Sequence, residues 1–232
     1  MSLILHIETA TPICSVALAK QGNLILERTI DSPQEHARLI TVAIDNIMKE
    51  AGYIYNQLDA ISVSRGPGSY TGLRIGVATA KGLCFALGKP LIAVDTLYSM
   101  AFCAREQYSK KHQLTDQQIA FIPMIDARRM EVYTTVYDSN LEMLVPVSPL
   151  ILEKGSFDKY SSMSLILFGD GALKYKELIN SEIEASFLSK FQFSATGLID
   201  ESYRKFLSHD FEDTAYFEPF YLKDFLVGPK KP

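Results

Sequence analysis

The feature that most limits how this chain can fold is a group of short strands that occurs twice along it. Apolar runs of strand length fall at 3–9, 14–18 and 24–30, and again at 121–128 and 132–137. Asp126 ends the leading run of the second group just as Glu8 ends that of the first, 118 residues earlier. Short strands can resemble one another by chance, but a nearly constant offset across several elements favours a duplicated lobe.

Three helices are predicted between the two groups of strands. The first is expected at 33–51, because Ser32 begins a capping box and Pro33 suits the first helical position. The other two are expected at 71–87 and 97–111.

Strands followed by alternating helices and strands are typical of an α/β fold with a mixed sheet. We therefore divide the chain into a first lobe at 1–102 and a second lobe at 103–232. Two such lobes facing one another enclose a cleft, which is the usual place for a ligand.

Charge restricts the functions open to the chain. The formal net charge is −4, whereas a protein that grips nucleic acid alone usually carries a basic stripe. The short basic clusters are only pairs: Lys110-Lys111, Arg128-Arg129 and Lys230-Lys231. If the chain serves an RNA pathway, we expect another protein to hold most of the RNA.

The cysteines and the apolar runs indicate a cellular location. Cys14, Cys84 and Cys103 form no CxxC pair, which excludes the common zinc and thioredoxin patterns and favours reduced thiols in the cytosol. The first residues do not read as a signal peptide, and no apolar run approaches the roughly 18 residues that span a bilayer. We expect a cytoplasmic protein that does not enter a membrane.

A glycine-rich stretch at 66–72 follows a predicted strand and opens a predicted helix. Its backbone N–H groups could meet an anion. The spacing fits neither a Walker loop, which needs Lys and Ser or Thr after its last glycine, nor the G-x-G-x-x-G fingerprint. The alternative is a tight turn in which glycine permits close packing. Candidate nucleotide or anion residues are Glu8, Thr9, Arg65, Gly66, Gly68, Ser69 and Asp126.

Small residues form two rows on the second helix: Gly72, Gly76 and Ala80, and Ala78, Gly82 and Ala86. Glycine inside a helix costs about 0.5–1 kcal/mol relative to alanine, so this pattern suggests that another backbone comes close. One alternative is packing against the chain's own first helix or sheet. The other is a helix of a partner chain, with Leu73, Val77 and Leu83 supplying the apolar contact, and both can hold at once.

The chain offers little catalytic equipment. Its four histidines are His6, His36, His112 and His209, and no two stand three to five residues apart, so the common metal-binding pairs are excluded. Ser69 and Thr71 lack the neighbours that would activate a nucleophile. We therefore predict no catalytic residue and no metal ligand.

One long stretch of the sequence resembles a known family. It runs from Asp59 to Gly76 through Arg65-Gly66-Pro67-Gly68-Ser69-Tyr70-Thr71-Gly72. Shorter matches are Glu35-His36, Val94-Asp95-Thr96-Leu97, Asp126-Ala127-Arg128, Gly169-Asp170-Gly171-Ala172 and Pro219-Phe220-Tyr221-Leu222. On these residues the chain is similar to the TsaB (YeaZ) family over nearly its whole length.

The resemblance implies an actin-like (ASKHA) α/β fold, with two ribonuclease-H-like lobes whose mixed β-sheets are flanked by helices. It also implies a non-catalytic subunit that acts with the homologous enzyme TsaD and the ATPase TsaE. That complex transfers threonylcarbamoyl to N6 of adenosine 37 in tRNAs that read codons beginning with A. The tRNA would be reached through the complex, to which any ATP or ADP and Mg²⁺ would also belong, and this chain would need no cofactor of its own.

In the family the first two helices pair with TsaD, and the same face would let the isolated chain form a homodimer. The residues expected at that face are Ala37, Ile40, Ile44, Ile47, Leu73, Gly76, Val77, Ala80 and Leu83. The alternative function is a small ATPase or phosphotransferase that uses Glu8, Thr9, Gly68 and Asp126 in the cleft. Glu8 stands where the actin-like fold more often has Asp, and its extra methylene would displace a cation.

Overall fold

The computed structural model describes residues 2–30, 36–110, 112, 118–179 and 183–223. The first half contains β1 (Leu3–Glu8), β2 (Cys14–Lys20), β3 (Asn23–Ile30), α1 (His36–Glu50), β4 (Ala60–Gly66), α2 (Tyr70–Leu87), β5 (Leu91–Asp95) and α3 (Thr96–Ser109). The second half contains β6 (Ile119–Asp126), β7 (Glu131–Tyr137), β8 (Met143–Ile151), β9 (Ser164–Phe168), β10 (Ala185–Phe187) and α4 (Ile199–Leu207).

The two sheets repeat one topology. Their strand orders are β3-β2-β1-β4-β5 and β8-β7-β6-β9-β10. In each, the leading strand pairs antiparallel with the next strand and parallel with the fourth. Because the order and the sense of pairing agree, the duplication predicted from the strand offset is confirmed, and so is the mixed α/β fold of two lobes.

The lobes differ in their helices. In the first lobe α1 and α2 cover one face of the sheet, and their buried apolar side chains join those of β1, β2 and β4 in one core. Between β8 and β9 the structure describes only a short 3-10 helix, Asp158–Tyr160, and between β9 and β10 another, Ala172–Tyr175. In the part of the chain that is described, the second lobe therefore has less helix packed on its sheet than the first.

Helix α3 lies between the sheets and joins them. Its Leu97, Met100 and Ala101 belong to a core that also contains Ile4 of the first sheet and Phe121 of the second. Because this apolar core is shared by both sheets, it holds the two lobes together and fixes the cleft between them.

The chain returns to the first sheet near its end. A 3-10 helix, Ala195–Leu198, and then α4 pack on the sheet face opposite α1 and α2. The Ala195 amide donates to Ser15 Oγ at 2.8 Å, and further along the Glu212 amide donates to the Leu91 carbonyl at 2.9 Å. The division at residue 102 stays a prediction, but residues after 195 contact the first lobe extensively.

The helix boundaries agree closely with expectation where they are described. Helix α2 begins at Tyr70, one residue before the predicted start, because Ser69 caps it by accepting from the Gly72 amide. The predicted capping residues of α1, Ser32 and Pro33, lie outside the described residues. None of the described helices is long and apolar enough to span a membrane.

Candidate functional site

A cleft of about 600 Å³ opens between the lobes. Its walls are the ends of β1 and β6, the glycine-rich loop and the last described residues of the chain. Among the predicted anion residues, Thr9, Gly68, Ser69 and Asp126 line it, whereas Glu8, Arg65 and Gly66 do not.

Glu8 points into the first lobe rather than into the cleft. Its carboxylate is fully buried, and Oε1 accepts from the Ala10 amide at 2.6 Å and the Thr11 amide at 3.2 Å. Burial raises the pKa of Glu8 to about 7, although the nearby Ser64 hydroxyl and those two amides oppose the shift. In this position the side chain stabilises the β1–β2 turn and does not reach a ligand in the cleft.

The glycine-rich loop is packed tightly against that same turn. The Ser69 amide donates to the Ala10 carbonyl at 2.7 Å, and the Gly72 amide donates to the Ser69 hydroxyl oxygen at 3.2 Å. A Cβ on Gly68 would lie 2.3 Å from the Ala10 carbonyl oxygen, and one on Gly72 would lie 2.0 Å from that of Thr9. The glycines therefore allow close approach of two backbone segments, and two amides that could have met an anion are already paired.

Asp126 is held by a lysine that the sequence analysis missed. Lys174 Nζ lies 2.6 Å from Asp126 Oδ1, and the Arg128 amide donates to the same oxygen at 2.5 Å. Partial burial opposes ionisation, but these hydrogen bonds and the lysine charge keep the pKa of Asp126 below its ordinary value. Because the ammonium group lies where a bound cation would bridge to Asp126, the pair disfavours a metal site there.

Asp170 supports the same corner of the cleft. Its Oδ1 accepts from the Asp126 amide at 2.9 Å, and burial raises its pKa. Among the described residues no three His, Cys, Asp or Glu side chains are grouped as metal ligands would be. In the part of the chain that is described, the carboxylates at this corner of the cleft are therefore engaged by Lys174 and by backbone amides.

The predicted partner face needs a correction. Seven of its nine residues are buried within the chain itself: Ile40, Ile44, Ile47, Leu73, Gly76, Val77 and Ala80. The apolar period of a helix identifies the face turned toward the nearest apolar surface, which here is the first sheet. Ala37 is exposed and Leu83 is half-buried, so these two remain available to a partner.

The exposed face of α1 and α2 carries the second row of small residues. A groove of about 290 Å³ between the helices is lined by Thr41, Ile44, Tyr55, Ala78, Thr79, Gly82 and Leu83. The segments that form the groove also carry exposed large apolar side chains: Phe85 on α2 is 89% exposed, Val42 on α1 is 50% exposed, and Ile54, next to Tyr55, is 66% exposed. A Cβ on Gly82 would meet no atom within 4 Å. This exposed surface of small residues is distinct from the buried row of Gly72, Gly76 and Ala80.

Comparison with known proteins identifies the family. A family model described as "TsaD: tRNA N6-adenosine threonylcarbamoyltransferase" matches residues 26–225. The TsaB protein of Buchnera aphidicola subsp. Schizaphis graminum is 30% identical over 179 residues, which is 75% of this chain and 81% of that protein. The chain belongs to the TsaB (YeaZ) family.

Further relatives place the chain within that family. TsaB of Haemophilus influenzae is 36% identical over 135 residues, 56% of this chain and 51% of that protein. TsaB of Escherichia coli is 37% identical over 134 residues, which is 58% of this chain and 54% of that protein. The chain thus spans about half the length of these curated relatives. YeaZ of Pseudomonas aeruginosa matches in structure with a TM-score of 0.77 at 26% identity, covering 96% of this chain and 100% of that chain. The fold predicted from the resemblance to the TsaB family is thereby confirmed.

A segment at 208–223, which we call the C-terminal strap, joins α2 of this TsaB-family chain to the cleft. Lys81 Nζ donates to the carbonyls of Ala215 at 3.1 Å and Phe217 at 2.9 Å. The Phe220 amide donates to the Arg65 carbonyl at 2.7 Å. Arg65 itself pairs with Asp95 at 2.9 Å, which accounts for its position behind the cleft. The resemblance to the family at 219–222 singled out this segment but did not predict its contacts.

Proposed function

We propose that this chain is a non-catalytic, activating subunit that acts with TsaD and TsaE in the cytoplasm. The complex would transfer threonylcarbamoyl to N6 of adenosine 37 in tRNAs that read codons beginning with A. The names of the TsaB relatives support the pathway. The observation that supports a non-catalytic role is the Asp126–Lys174 pair, because it neutralises a carboxylate that lines the cleft.

Catalysis and its nucleotide would then belong to other subunits, with ATP or ADP and Mg²⁺ bound at the level of the complex. The rival function, an ATPase or phosphotransferase in the cleft, needs Glu8 at the metal, and that carboxylate is buried in the β1–β2 turn. Magnesium-dependent ATP turnover by the purified chain that is lost in Glu8→Ala would favour the rival.

The groove between α1 and α2 is the proposed surface for TsaD. It combines a row of small residues with exposed apolar side chains, which is the composition of a helix-packing interface. A homologous partner, or a second copy of this chain, could present the matching helices.

A single substitution can distinguish loss of binding to TsaD from loss of folding. Gly82→Arg fills the groove, yet arginine is a better helix former than glycine by about 0.6–0.8 kcal/mol, so the monomer should be at least as stable. We expect Gly82→Arg to abolish co-purification with TsaD while its thermal unfolding midpoint stays equal or rises. Met143→Arg, at an exposed site on β8 of the second lobe, adds the same charge and should pair normally.

Reconstitution tests the function directly. TsaD, TsaE, ATP, threonylcarbamoyl adenylate and unmodified tRNA are incubated with and without this chain, and modified adenosine is measured. Product that requires the chain, together with none from the chain alone, is the expected result. Equal product without it would refute the proposed role.

A further inference from the structure

The connection between β6 and β7 carries two arginines in an uncommon backbone conformation. Arg128 has φ 74° and Arg129 has φ 50°, in the left-handed region that residues other than Gly, Asn and Asp rarely adopt. Both are exposed, and the Glu131 amide closes the turn by donating to the Arg128 carbonyl at 3.1 Å. Backbone strain of this kind clusters at functional sites. The choice of arginine at two positions that suit Asn or Gly therefore points to a role beyond folding.

Aromatic side chains stand at the mouth of the same cleft. Tyr70 at the start of α2 and Tyr221 of the strap have ring centroids 4.9 Å apart, and both line the cleft together with Arg128. The Arg74 guanidinium lies 4.1 Å from the centre of the Tyr70 ring, and its Nε donates to the Tyr221 hydroxyl at 3.3 Å. These contacts fix a platform of rings and a guanidinium, to which both α2 and the strap contribute.

We propose that the mouth of the cleft binds a single-stranded segment of RNA, with Arg128 and Arg129 at backbone phosphates and Tyr221 stacking on a base. Arginines beside aromatic rings are the combination that single-stranded nucleic acid requires, because its unstacked bases offer their faces and its phosphates attract guanidinium groups. A duplex keeps its bases stacked and offers only its backbone. The inference rests on the proposed function, which supplies the RNA.

A polynucleotide at the rim fits better than a mononucleotide deep in the cleft. The amides of Ser69 and Gly72 in the glycine-rich loop are paired within the chain. The carboxyl group of Asp170 lines the cleft, where it disfavours phosphate, and Asp126 already engages Lys174, the nearby ammonium group that could have met a phosphate. Arg128 and Arg129 stand exposed on the β6–β7 connection instead. A short contact of this size also agrees with a net charge of −4, because most of the RNA would lie on other subunits.

The first experiment measures affinity of the full chain by fluorescence anisotropy, with a labelled oligouridylate of roughly ten nucleotides, an RNA duplex of equal length and ATP. We expect the single strand to bind most tightly. In the double variant Arg128→Asn, Arg129→Asn, binding should weaken and the log–log salt slope should fall by about 1.4, since each phosphate contact to a single strand contributes roughly 0.7. Asparagine tolerates positive φ, so the unfolding midpoint should not fall.

A charge-matched control uses Lys154→Asn with Lys190→Asn, two exposed lysines outside the cleft lining. This variant should bind the oligouridylate like the unmodified chain. The inference is overturned if the arginine variant also binds normally, if the duplex binds equally well, or if ATP binds more tightly than the oligonucleotide.

The stacking role has its own pair of variants. Tyr221→Ala should weaken the single strand by roughly 5- to 150-fold, the range seen when a stacking aromatic is removed. Tyr221→Phe keeps the ring and loses only the hydroxyl contact to Arg74, so it should bind nearly as tightly as tyrosine. Equal losses in both variants would exclude stacking.

Photo-crosslinking in the reconstituted complex separates this inference from the proposed function. A tRNA containing 4-thiouridine in its anticodon loop should crosslink to peptides that include 127–130 or Tyr221. If the complex modifies its tRNA in a manner dependent on this chain, yet no crosslink forms there, the inference fails and the proposed function stands. If modification proceeds without the chain, the proposed function fails by itself.

Discussion

The hydroxyls of Ser62 and Ser202 lie 2.6 Å apart in the interior of the first lobe, although 140 residues separate them in the chain. Ser202 also donates to the Leu198 carbonyl at 2.5 Å, so its single proton is committed and Ser62 must be the donor between the two hydroxyls. This bond fastens α4 to the centre of the first sheet.

The direction of that bond predicts unequal costs for the two alanine variants. Ser202→Ala leaves the Ser62 hydroxyl and the Leu198 carbonyl buried without their partner, a loss of about 1–3 kcal/mol in the free energy of unfolding. Ser62→Ala removes only the donor and should cost less. The double variant should be no less stable than Ser202→Ala, as measured by urea unfolding. A more damaging Ser62→Ala would contradict the assigned direction.

Glu8 makes stability depend on pH. Its folded-state pKa of about 7 lies above the ordinary value of 4.5, so the folded chain binds the proton more tightly and loses stability as pH rises through this interval. Glu8→Gln keeps an acceptor for the Ala10 amide and removes the charge. We expect the variant to gain stability relative to the unmodified chain between pH 5 and pH 8, by up to about 3 kcal/mol. Chemical denaturation across that range measures it, and a difference that does not change with pH would contradict it.

The two rows of small residues on α2 predict opposite effects of one methyl group. In Gly72→Ala the new Cβ would meet the Thr9 carbonyl oxygen at 2.0 Å, so the backbone must shift at a cost of about 1–3 kcal/mol. In Gly82→Ala the methyl enters open space and removes the glycine penalty, a gain of about 0.5–1 kcal/mol. Thermal unfolding of the two purified variants compares them directly. A shift of the same sign in both would refute the assignment of the rows.

Lys174 sets the charge state of Asp126. Lys174→Met removes the hydrogen bond and the positive charge that hold the pKa of Asp126 down, so that pKa should rise. Carboxyl carbon shifts followed by NMR across a pH titration report it. Lys176→Met removes an exposed lysine two residues away and should leave the titration of Asp126 unchanged.

Most of the fold could be predicted from local sequence patterns. Strand periodicity, turn residues and the offset between Glu8 and Asp126 located the duplicated lobes, because these signals depend on neighbours in the sequence. These patterns did not predict which surface each apolar side chain would pack against. Ile40 and Gly76 were assigned to a partner, since an apolar face reads the same whether it meets the chain's own sheet or another protein.

The contacts that could not be predicted from the sequence are those between segments far apart in the chain. Nothing near Asp126 in the sequence indicates Lys174, and nothing near Ser15 indicates Ala195. Glu8 was a candidate for the cleft because a carboxylate at the end of a strand could hold a magnesium–nucleotide complex. Its longer side chain instead reaches the amides of its own turn, an outcome that depends on backbone geometry rather than on residue type.

The return of α4 to the first sheet has a consequence for synthesis on the ribosome. The first lobe is translated early, but the face of its sheet around Ser62 stays uncovered until the segment with Ser202 has emerged. Folding in vectorial order from the N-terminus therefore leaves the first lobe incomplete until residues 195–207 have been translated. A chain arrested before residue 195 should display an open, partly apolar sheet to chaperones.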